Sequence, residues 1–162
     1  MSLEKVQAEY AGFIDLFRSV VLCTVSADGA PDASYAPFVV DAAKTFYIFV
    51  SGLSTHTTNL AATGKASILL IEDEAQTTEI FARRRLSFTC QATLLPRETP
   101  EWEAIAEQFQ AKFGELISML RSLPDFRIYQ LKPQSGRFVV GFGAAYQITG
   151  DNLSQLQHLR GS

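Results

Sequence analysis

The stretch IFARRRLSFTC (residues 80–90) is the most informative part of the chain, because it combines a strand pattern with three consecutive arginines. Its Ile, Phe, Leu and Thr residues favour a pleated, partly buried strand. Because side chains alternate between the faces of a strand, Arg83 and Arg85 are predicted to share one face and Arg84 the other. A guanidinium does not enter a sheet interior unpaired, since its desolvation costs several kcal/mol.

Two interpretations of these arginines remain open. In the first, the stretch is an edge strand whose arginines lie in solvent or pair with the acidic run Glu72, Asp73 and Glu74. In the second, the arginines form an anion site, because the planar guanidinium fork matches two oxygens of a phosphate or carboxylate at once.

Length and composition indicate a single domain over residues 1–162, with 47% apolar residues and twelve phenylalanines to fill a core. A net charge of −3 argues against a nucleic-acid partner, because a phosphate backbone requires a clustered basic surface. No apolar run is long enough for a membrane span, and the N-terminus lacks the order of a signal peptide. We therefore expect a cytoplasmic protein without a membrane partner. Cys23 and Cys90 stand alone and are expected to be free thiols.

The order of strand and helix patterns predicts a mainly antiparallel β fold with flanking helices (α+β). Strands are predicted at residues 19–26, 32–40, 45–50, 66–73, 80–90 with an extension to 95, 126–131 and 137–142. Helices are predicted at residues 3–18, 57–62 and from 99 to a stop at Pro124. Pro37 suggests an edge position or a bulge, and residues 134–136 a last hairpin. Because most connections are short, the strands are expected to form a meander that closes into a small barrel.

The polar segment SGLSTHTTN (residues 51–59) is the main candidate for a ligand site. Its histidine, His56, has a simple interpretation as a solvent-exposed loop residue. The hydroxyl residues around it, including Ser51, Thr55 and Thr57, support a second interpretation if the arginine-bearing strand lies nearby. Loop amides, hydroxyls and guanidinium groups together make a cradle for a phosphate or carboxylate.

Two further motifs mainly exclude functions. The segment GFGAAY (residues 141–146) has a tyrosine where a dinucleotide-binding loop needs its third glycine, so that interpretation is discarded. His56 and His158 are the only histidines, which excludes a three-histidine zinc site within one chain. No Gly-x-Ser-x-Gly elbow of a serine hydrolase is present.

Two other positions give weak signals by themselves. Asp125 follows a proline just before a predicted strand, and the pattern favours a turn residue. Ser34 and Tyr35 precede Pro37 on an otherwise apolar strand, where they could present a polar edge to a ligand.

Taken together, six segments resemble the haem-utilisation proteins of the HugZ/HutZ type. They are SYAPFVV (34–40), VSGLSTHTTNL (50–60), ILLIEDE (68–74), FARRRLSF (81–88), DFRIYQL (125–131) and GRFVVGFGAAY (136–146). That type belongs to the wider group of pyridoxamine-phosphate-oxidase-like, FMN-binding split barrels. The resemblance implies a six- or seven-stranded split barrel that forms a homodimer, with a cofactor, FMN or haem, at the subunit interface.

The resemblance also implies a function and its alternatives. The first is haem utilisation or degradation, in the manner of a haem oxygenase. The second is an FMN-dependent oxidoreductase of the pyridoxamine 5'-phosphate oxidase-related kind. The third is a non-catalytic carrier of haem or flavin.

For FMN, the resemblance implies that the cofactor is lined by residues of three segments, namely Ser34, Tyr35, Val50, Ser51, Thr55, His56 and Thr57. The oxidases of this group carry Arg and Lys in the third segment, where this chain has His and Thr. Arg83 or Arg85 is expected to supply the charge instead.

For haem, the resemblance implies that His56 and Arg85 face the haem region and that Asp125 supports the proximal ligand. In relatives that ligand is a histidine of a C-terminal tail. His158 is the only terminal histidine here and is therefore the expected metal ligand. His56 and Asp125 are the expected catalytic residues.

Overall fold

The structure, a computed structural model, describes residues 1–160. Its helices are α1 (Leu3–Phe13), α2 (Thr55–Thr63), α3 (Pro100–Phe113) and α4 (Leu116–Ser122). Its strands are β1 (Ser19–Val25), β2 (Pro31–Val40), β3 (Phe46–Ser51), β4 (Lys65–Ile71), β5 (Arg85–Leu95), β6 (Phe126–Gly141), β7 (Ala144–Thr149) and β8 (Gln155–His158). No helix within residues 1–160 is both long and apolar enough to cross a membrane.

The strands form one antiparallel sheet in the order β3-β2-β1-β4-β5-β6-β7-β8. An additional pairing of β3 with β6 closes the first six strands into a barrel. β6 is 16 residues long, so its first part pairs with β3 and its last part with β7. The mainly antiparallel barrel with flanking helices is therefore confirmed, and β7 and β8 extend the sheet beyond the closed barrel.

Two hydrophobic clusters hold the elements together. One fills the barrel, and the other lies between the barrel wall and α3 and α4. β3 serves both, because alternate residues face opposite sides: Phe46 and Ile48 point into the barrel, while Tyr47 and Phe49 point to the helices. The helices cover the outer side of β3 and leave the outer faces of β1 and β4 uncovered.

The strand predicted at residues 80–90 begins only at Arg85. A single 3₁₀ turn (Ile80–Ala82) precedes it, so Arg83 and Arg84 lie outside the strand and the predicted alternation of the three arginines is wrong. The predicted edge position is also wrong, because β5 pairs with both β4 and β6. The predicted extension to Leu95 is confirmed.

The predicted hairpin at residues 134–136 is absent, since β6 runs through it without interruption. Gly136 serves packing there: a Cβ would lie 2.6 Å from the Phe88 ring. The hairpin comes later, at Phe142 and Gly143, where Gly143 adopts a left-handed φ of 63°.

Pro37 lies on an interior strand and not at an edge, because β2 pairs with β1 on one side and β3 on the other. Pro37 is the last residue paired with β1, opposite Ser19, and pairing with β3 starts at Phe38. A residue without an N–H is tolerated at this change of partner, since fewer ladder hydrogen bonds are required there.

Candidate functional site

A turn–helix region, residues 51–57, follows β3 and begins α2. The Ser54 amide donates to the Ser51 carbonyl at 3.2 Å, and the Thr57 hydroxyl donates to the same oxygen at 2.6 Å. The Ser54 side chain, at the N-cap position, accepts no backbone hydrogen bond. The Thr57 and Thr58 amides donate to the Ser54 carbonyl, so the open donors at the positive end of the helix dipole are the amides of Thr55 and His56.

His56 is held in place by a hydrogen bond to a residue of β2. Its Nδ1 lies 2.9 Å from Ser34 Oγ, and the Ser34 hydroxyl donates to the Leu22 carbonyl at 3.2 Å. Because that hydroxyl has one hydrogen, both contacts are satisfied when His56 Nδ1–H donates to Ser34 Oγ. In this tautomer Nε2 carries the lone pair, and it is enclosed with no hydrogen-bond partner.

Burial also determines the charge of His56. Desolvation lowers the pKa of His56 below its ordinary value of 6.5, and the nearby carboxylate of Asp32 opposes this in part. The imidazole is therefore neutral at pH 7. The interpretation of His56 as an exposed loop residue is not supported.

The remaining residues predicted to line FMN divide between open and buried positions. Thr55 is exposed at the first position of α2, and Ser51 is partly exposed in the turn. Thr57 is fully buried and Val50 is 4% exposed within the barrel. Thr57 and Val50 therefore shape the region from within, while Thr55 and Ser51 face outward.

The start of β6 packs directly against the turn. The Gly52 amide donates to the Asp125 backbone carbonyl at 2.7 Å. A Cβ on Gly52 would lie 2.9 Å from that oxygen and 3.4 Å from Arg127 Nη2, so only glycine fits. Asp125 thus reaches the region through its backbone, in agreement with a turn residue. Arg127, opposite Val50 in the β3–β6 pairing, is a neighbour that sequence reasoning missed.

An outer sheet face, formed by Tyr35, Val21, Leu69, Ser87 and Arg85, lies on the other side of the barrel wall. The first four stand in one row across β2, β1, β4 and β5. Tyr35 is 69% exposed and Val21 36% exposed, although both are large apolar side chains. The row carries no charge.

The three arginines near this face have different partners. Arg84 Nε lies 2.6 Å from a Glu72 carboxylate oxygen and Arg84 Nη1 3.1 Å from Glu9, while Arg83 contacts Glu74 at 3.5 Å. Pairing with the acidic run is therefore confirmed for Arg83 and Arg84. Arg85 donates only to the Arg83 carbonyl, at 2.9 Å, and meets no carboxylate within residues 1–160.

One chain does not bring Arg85 and His56 together. Ser34, which holds His56, is in register with Phe88 of β5, and Arg85 lies three residues further along. Along the barrel wall, Arg85 is thus separated from Ser34 by three inter-strand spacings of about 4.8 Å and three residues of about 3.3 Å. The two side chains also point to opposite sides of the wall. Ser34 and Tyr35 likewise point to opposite sides, because they are neighbours on one strand.

His158 lies in a third place. It is exposed on β8, where its Nε2 is 2.6 Å from the Gly143 carbonyl and its ring centroid 5.0 Å from that of Tyr146. No group of three or more His, Cys, Asp or Glu residues that could hold a bare metal ion occurs among the residues described. A metal at His158 would thus depend on a cofactor such as haem for its other ligands.

Comparison with known proteins agrees with this architecture. Residues 6–140 match the family model described as Pyridoxamine 5'-phosphate oxidase, so the chain belongs to that family of split-barrel proteins. Within it, the chain is 37% identical over 155 residues to the heme oxygenase HutZ of Vibrio cholerae, covering 96% of this chain and 88% of HutZ. The resemblance to proteins of the HugZ/HutZ type is confirmed.

Two solved structures extend the comparison. The crystal structure of HutZ, there described as the heme storage protein from Vibrio cholerae, superposes with a TM-score of 0.79 at 34% identity, covering 88% of this chain and 99% of that one. ChuZ of Campylobacter jejuni superposes with a TM-score of 0.86 at 31% identity. It covers 99% of this chain, which spans only 64% of ChuZ.

Proposed function

We propose that this protein is a homodimer that binds haem or FMN at its subunit interface and serves haem utilisation or degradation. The separation of His56 from Arg85 carries this proposal. Both residue types suit a site for an anionic cofactor, yet they lie on opposite sides of the wall within one chain. A site that contains both residues therefore needs His56 from one subunit and Arg85 from its partner, across a contact that includes the outer sheet face.

The outer sheet face has the properties of a surface that a second copy covers. The four side chains of its row are apolar or hydroxylic, and the row crosses β1 and β4, whose outer faces α3 and α4 leave uncovered. Covering exposed apolar area removes it from water, at about 25 cal/mol for each Å². A two-fold arrangement of this face on itself produces two equivalent sites per dimer.

The residues fit the anionic groups of either cofactor. The open amides of α2 and the free edge of the Arg85 guanidinium suit a phosphate or a propionate. Haem, when bound, supplies the iron at which oxygen chemistry takes place, and FMN supplies a flavin ring for electron transfer. Arg83 is already engaged by Glu74, so support for a charged contact falls on Arg85.

We assign the iron ligand to His158, whose Nε2 would have to leave its contact with the Gly143 carbonyl. His56 Nε2 is enclosed and His158 Nε2 is occupied by Gly143, so neither histidine presents a free, accessible Nε2. His158 is the better candidate, because its ring is exposed and β8 is a four-residue edge strand. His56, neutral and anchored to Ser34, would line the pocket and orient the ligand, and Asp125 would support the ligand side.

Two alternative functions remain, each with an observation in its favour. The match to the oxidase family favours an FMN-dependent oxidoreductase, with Ser51, Thr55 and the α2 amides around the phosphate. The description of HutZ as a heme storage protein favours a non-catalytic carrier.

An absorbance titration of the purified protein with haemin and, separately, with FMN tests the proposal. We expect a sharpened Soret band that saturates at one haem per chain, followed by loss of the band with ring opening on addition of ascorbate. Saturation without ring opening supports the carrier, and tight FMN binding with loose haem binding supports the oxidoreductase. Binding of neither cofactor contradicts all three functions.

A further inference from the structure

Arg127 is a partly buried arginine without a partner. Within residues 1–160 its guanidinium makes no hydrogen bond and no ion pair. Other partly buried arginines have at least one partner: Arg85 donates to one carbonyl, Arg84 contacts two carboxylates, and Arg97 donates to the carbonyls of three residues, Arg121, Leu123 and Phe126. None of its nitrogens is among the buried atoms without a partner, so its donors are open to solvent and available to a ligand.

The guanidinium of Arg127 lies directly beside the turn at Gly52. Its Nη2 and Cζ atoms lie 3.4 and 3.5 Å from the position that a Cβ of Gly52 would occupy. These are ordinary contact distances, so the absence of a side chain at Gly52 lets the guanidinium lie directly against the turn. Asp125, two residues away, makes no ion pair with Arg127, so no internal carboxylate neutralises the charge.

We infer that Arg127 recognises an oxyanion at the turn–helix region, with the ligand oxygens at the solvent-accessible edge of its guanidinium, beside the turn at Gly52. This inference rests on the proposed function for the source of the anion, which is the phosphate of FMN or a propionate of haem. It assigns the charged contact within one chain to a residue of β6, whereas Arg85 reaches the site only from the other subunit. Arg127 is thus a specificity-determining residue for anionic ligands.

The test compares each cofactor with a neutral analogue. FMN is titrated beside riboflavin, and haemin beside haemin dimethyl ester, into wild type, Arg127→Gln and Arg127→Lys. Loss of a charged hydrogen bond lowers affinity by about 10- to 100-fold. We expect that loss in Arg127→Gln for one charged ligand and no change for its neutral analogue, with a smaller loss in Arg127→Lys. The pair that responds identifies the source of the anion.

Lys132→Gln is the matched control, because it removes one positive charge from an exposed position on the same strand. It should leave all four affinities unchanged. Equal losses for the charged and neutral ligands of a pair in Arg127→Gln would overturn the inference, since they would show a structural role. Unchanged affinity for FMN and haemin would overturn it as well.

A second readout does not depend on either cofactor. Inorganic phosphate is added to wild type and to Arg127→Gln while the thermal midpoint is recorded. A site for an oxyanion predicts that phosphate raises the midpoint of wild type more than that of Arg127→Gln, since phosphate also stabilises folded proteins without a binding site. If wild type binds neither cofactor but shows this response, the proposed function fails and the oxyanion site stands. If phosphate affects both proteins equally, or neither, the inference fails whatever the cofactor titrations show.

Discussion

The turn–helix region and the outer sheet face differ in how their groups are satisfied. In the first, the buried polar groups other than His56 Nε2 have internal partners: Thr57 bonds to Ser51, and His56 Nδ1 bonds to Ser34. In the second, large side chains such as Tyr35 are exposed and have nothing to pack against. In the first region the chain pairs most of its own buried polar groups, and in the second it leaves large side chains exposed. The turn–helix region and the outer sheet face can therefore belong to one site only if two chains meet.

The largest effect is expected from a charge on the outer sheet face. Val21→Glu places a carboxylate at the centre of the proposed contact, where its desolvation costs several kcal/mol. We expect the dimer to weaken by about a hundredfold or more, measured by sedimentation, with cofactor affinity falling in parallel. Leu116→Glu, at an exposed position on α4, is the control and should leave the dimer intact. An unchanged dimer in Val21→Glu would place the contact elsewhere.

Gly52→Ala is expected to have the next largest effect. The new Cβ would lie 2.9 Å from the Asp125 carbonyl, so the backbone of the turn has to shift. We expect the free energy of unfolding, measured in a denaturant titration, to fall by about 1–3 kcal/mol, while the dimer persists. Gly12→Ala serves as control, because nothing lies within 4 Å of that position in α1. It should stabilise by about 0.5–1 kcal/mol. Equal behaviour of the two variants would contradict the close packing of the turn.

A smaller effect is expected from Ser34→Ala, which removes the hydrogen-bond partner of His56 Nδ1. The loss of one such bond costs about 0.5–1.5 kcal/mol of stability. It should also let the imidazole change tautomer, which nitrogen-detected NMR of labelled histidine can show. Tyr35→Phe, on the opposite face of the same strand, should leave the imidazole spectrum unchanged. The Ser34–His56 contact would be refuted by identical spectra in wild type and Ser34→Ala.

The smallest effect concerns pH. The pKa of His56 is lowered in the folded chain, so the unfolded chain binds more protons between that lowered value and 6.5. The contribution of a neutral His56 is therefore fully present above pH 6.5 and is lost as the pH falls through the folded-state pKa. Denaturant midpoints measured between pH 5 and 8 should decline on the acid side, and less so in His56→Gln. A parallel decline in both proteins would assign the effect to other groups.

The barrel was predictable because its signals are local. Alternating apolar residues between short turns identify six of the strands and the direction in which they pair. The continuity of β6 was not predictable: Gln134, Ser135 and Gly136 have turn composition, and only contact with the Phe88 ring shows why glycine stands there. The same holds for Arg84, whose partners Glu72 and Glu9 are remote in sequence.

The site was predictable in part. Composition identifies residues 51–57, and alternation alone implies that Ser34 and Tyr35 face opposite sides. The approach of Arg127 to Gly52 depends on the closure of the barrel by β3 and β6, which no local pattern encodes. The role of His158 stays a prediction, since its present partner is a backbone carbonyl.

Mixed dimers test whether each site takes His56 from one subunit and Arg85 from the other. One chain carries Arg85→Gln, the other carries His56→Ala, and the differently tagged heterodimer is purified and titrated with haemin and FMN. If each site takes His56 from one subunit and the charged contact from the other subunit's Arg85, the heterodimer contains one site with both residues intact. We then expect half of the sites in the heterodimer to bind with wild-type affinity, while both parent homodimers bind weakly. A heterodimer without any wild-type site would contradict it, because both residues would then act within a single chain.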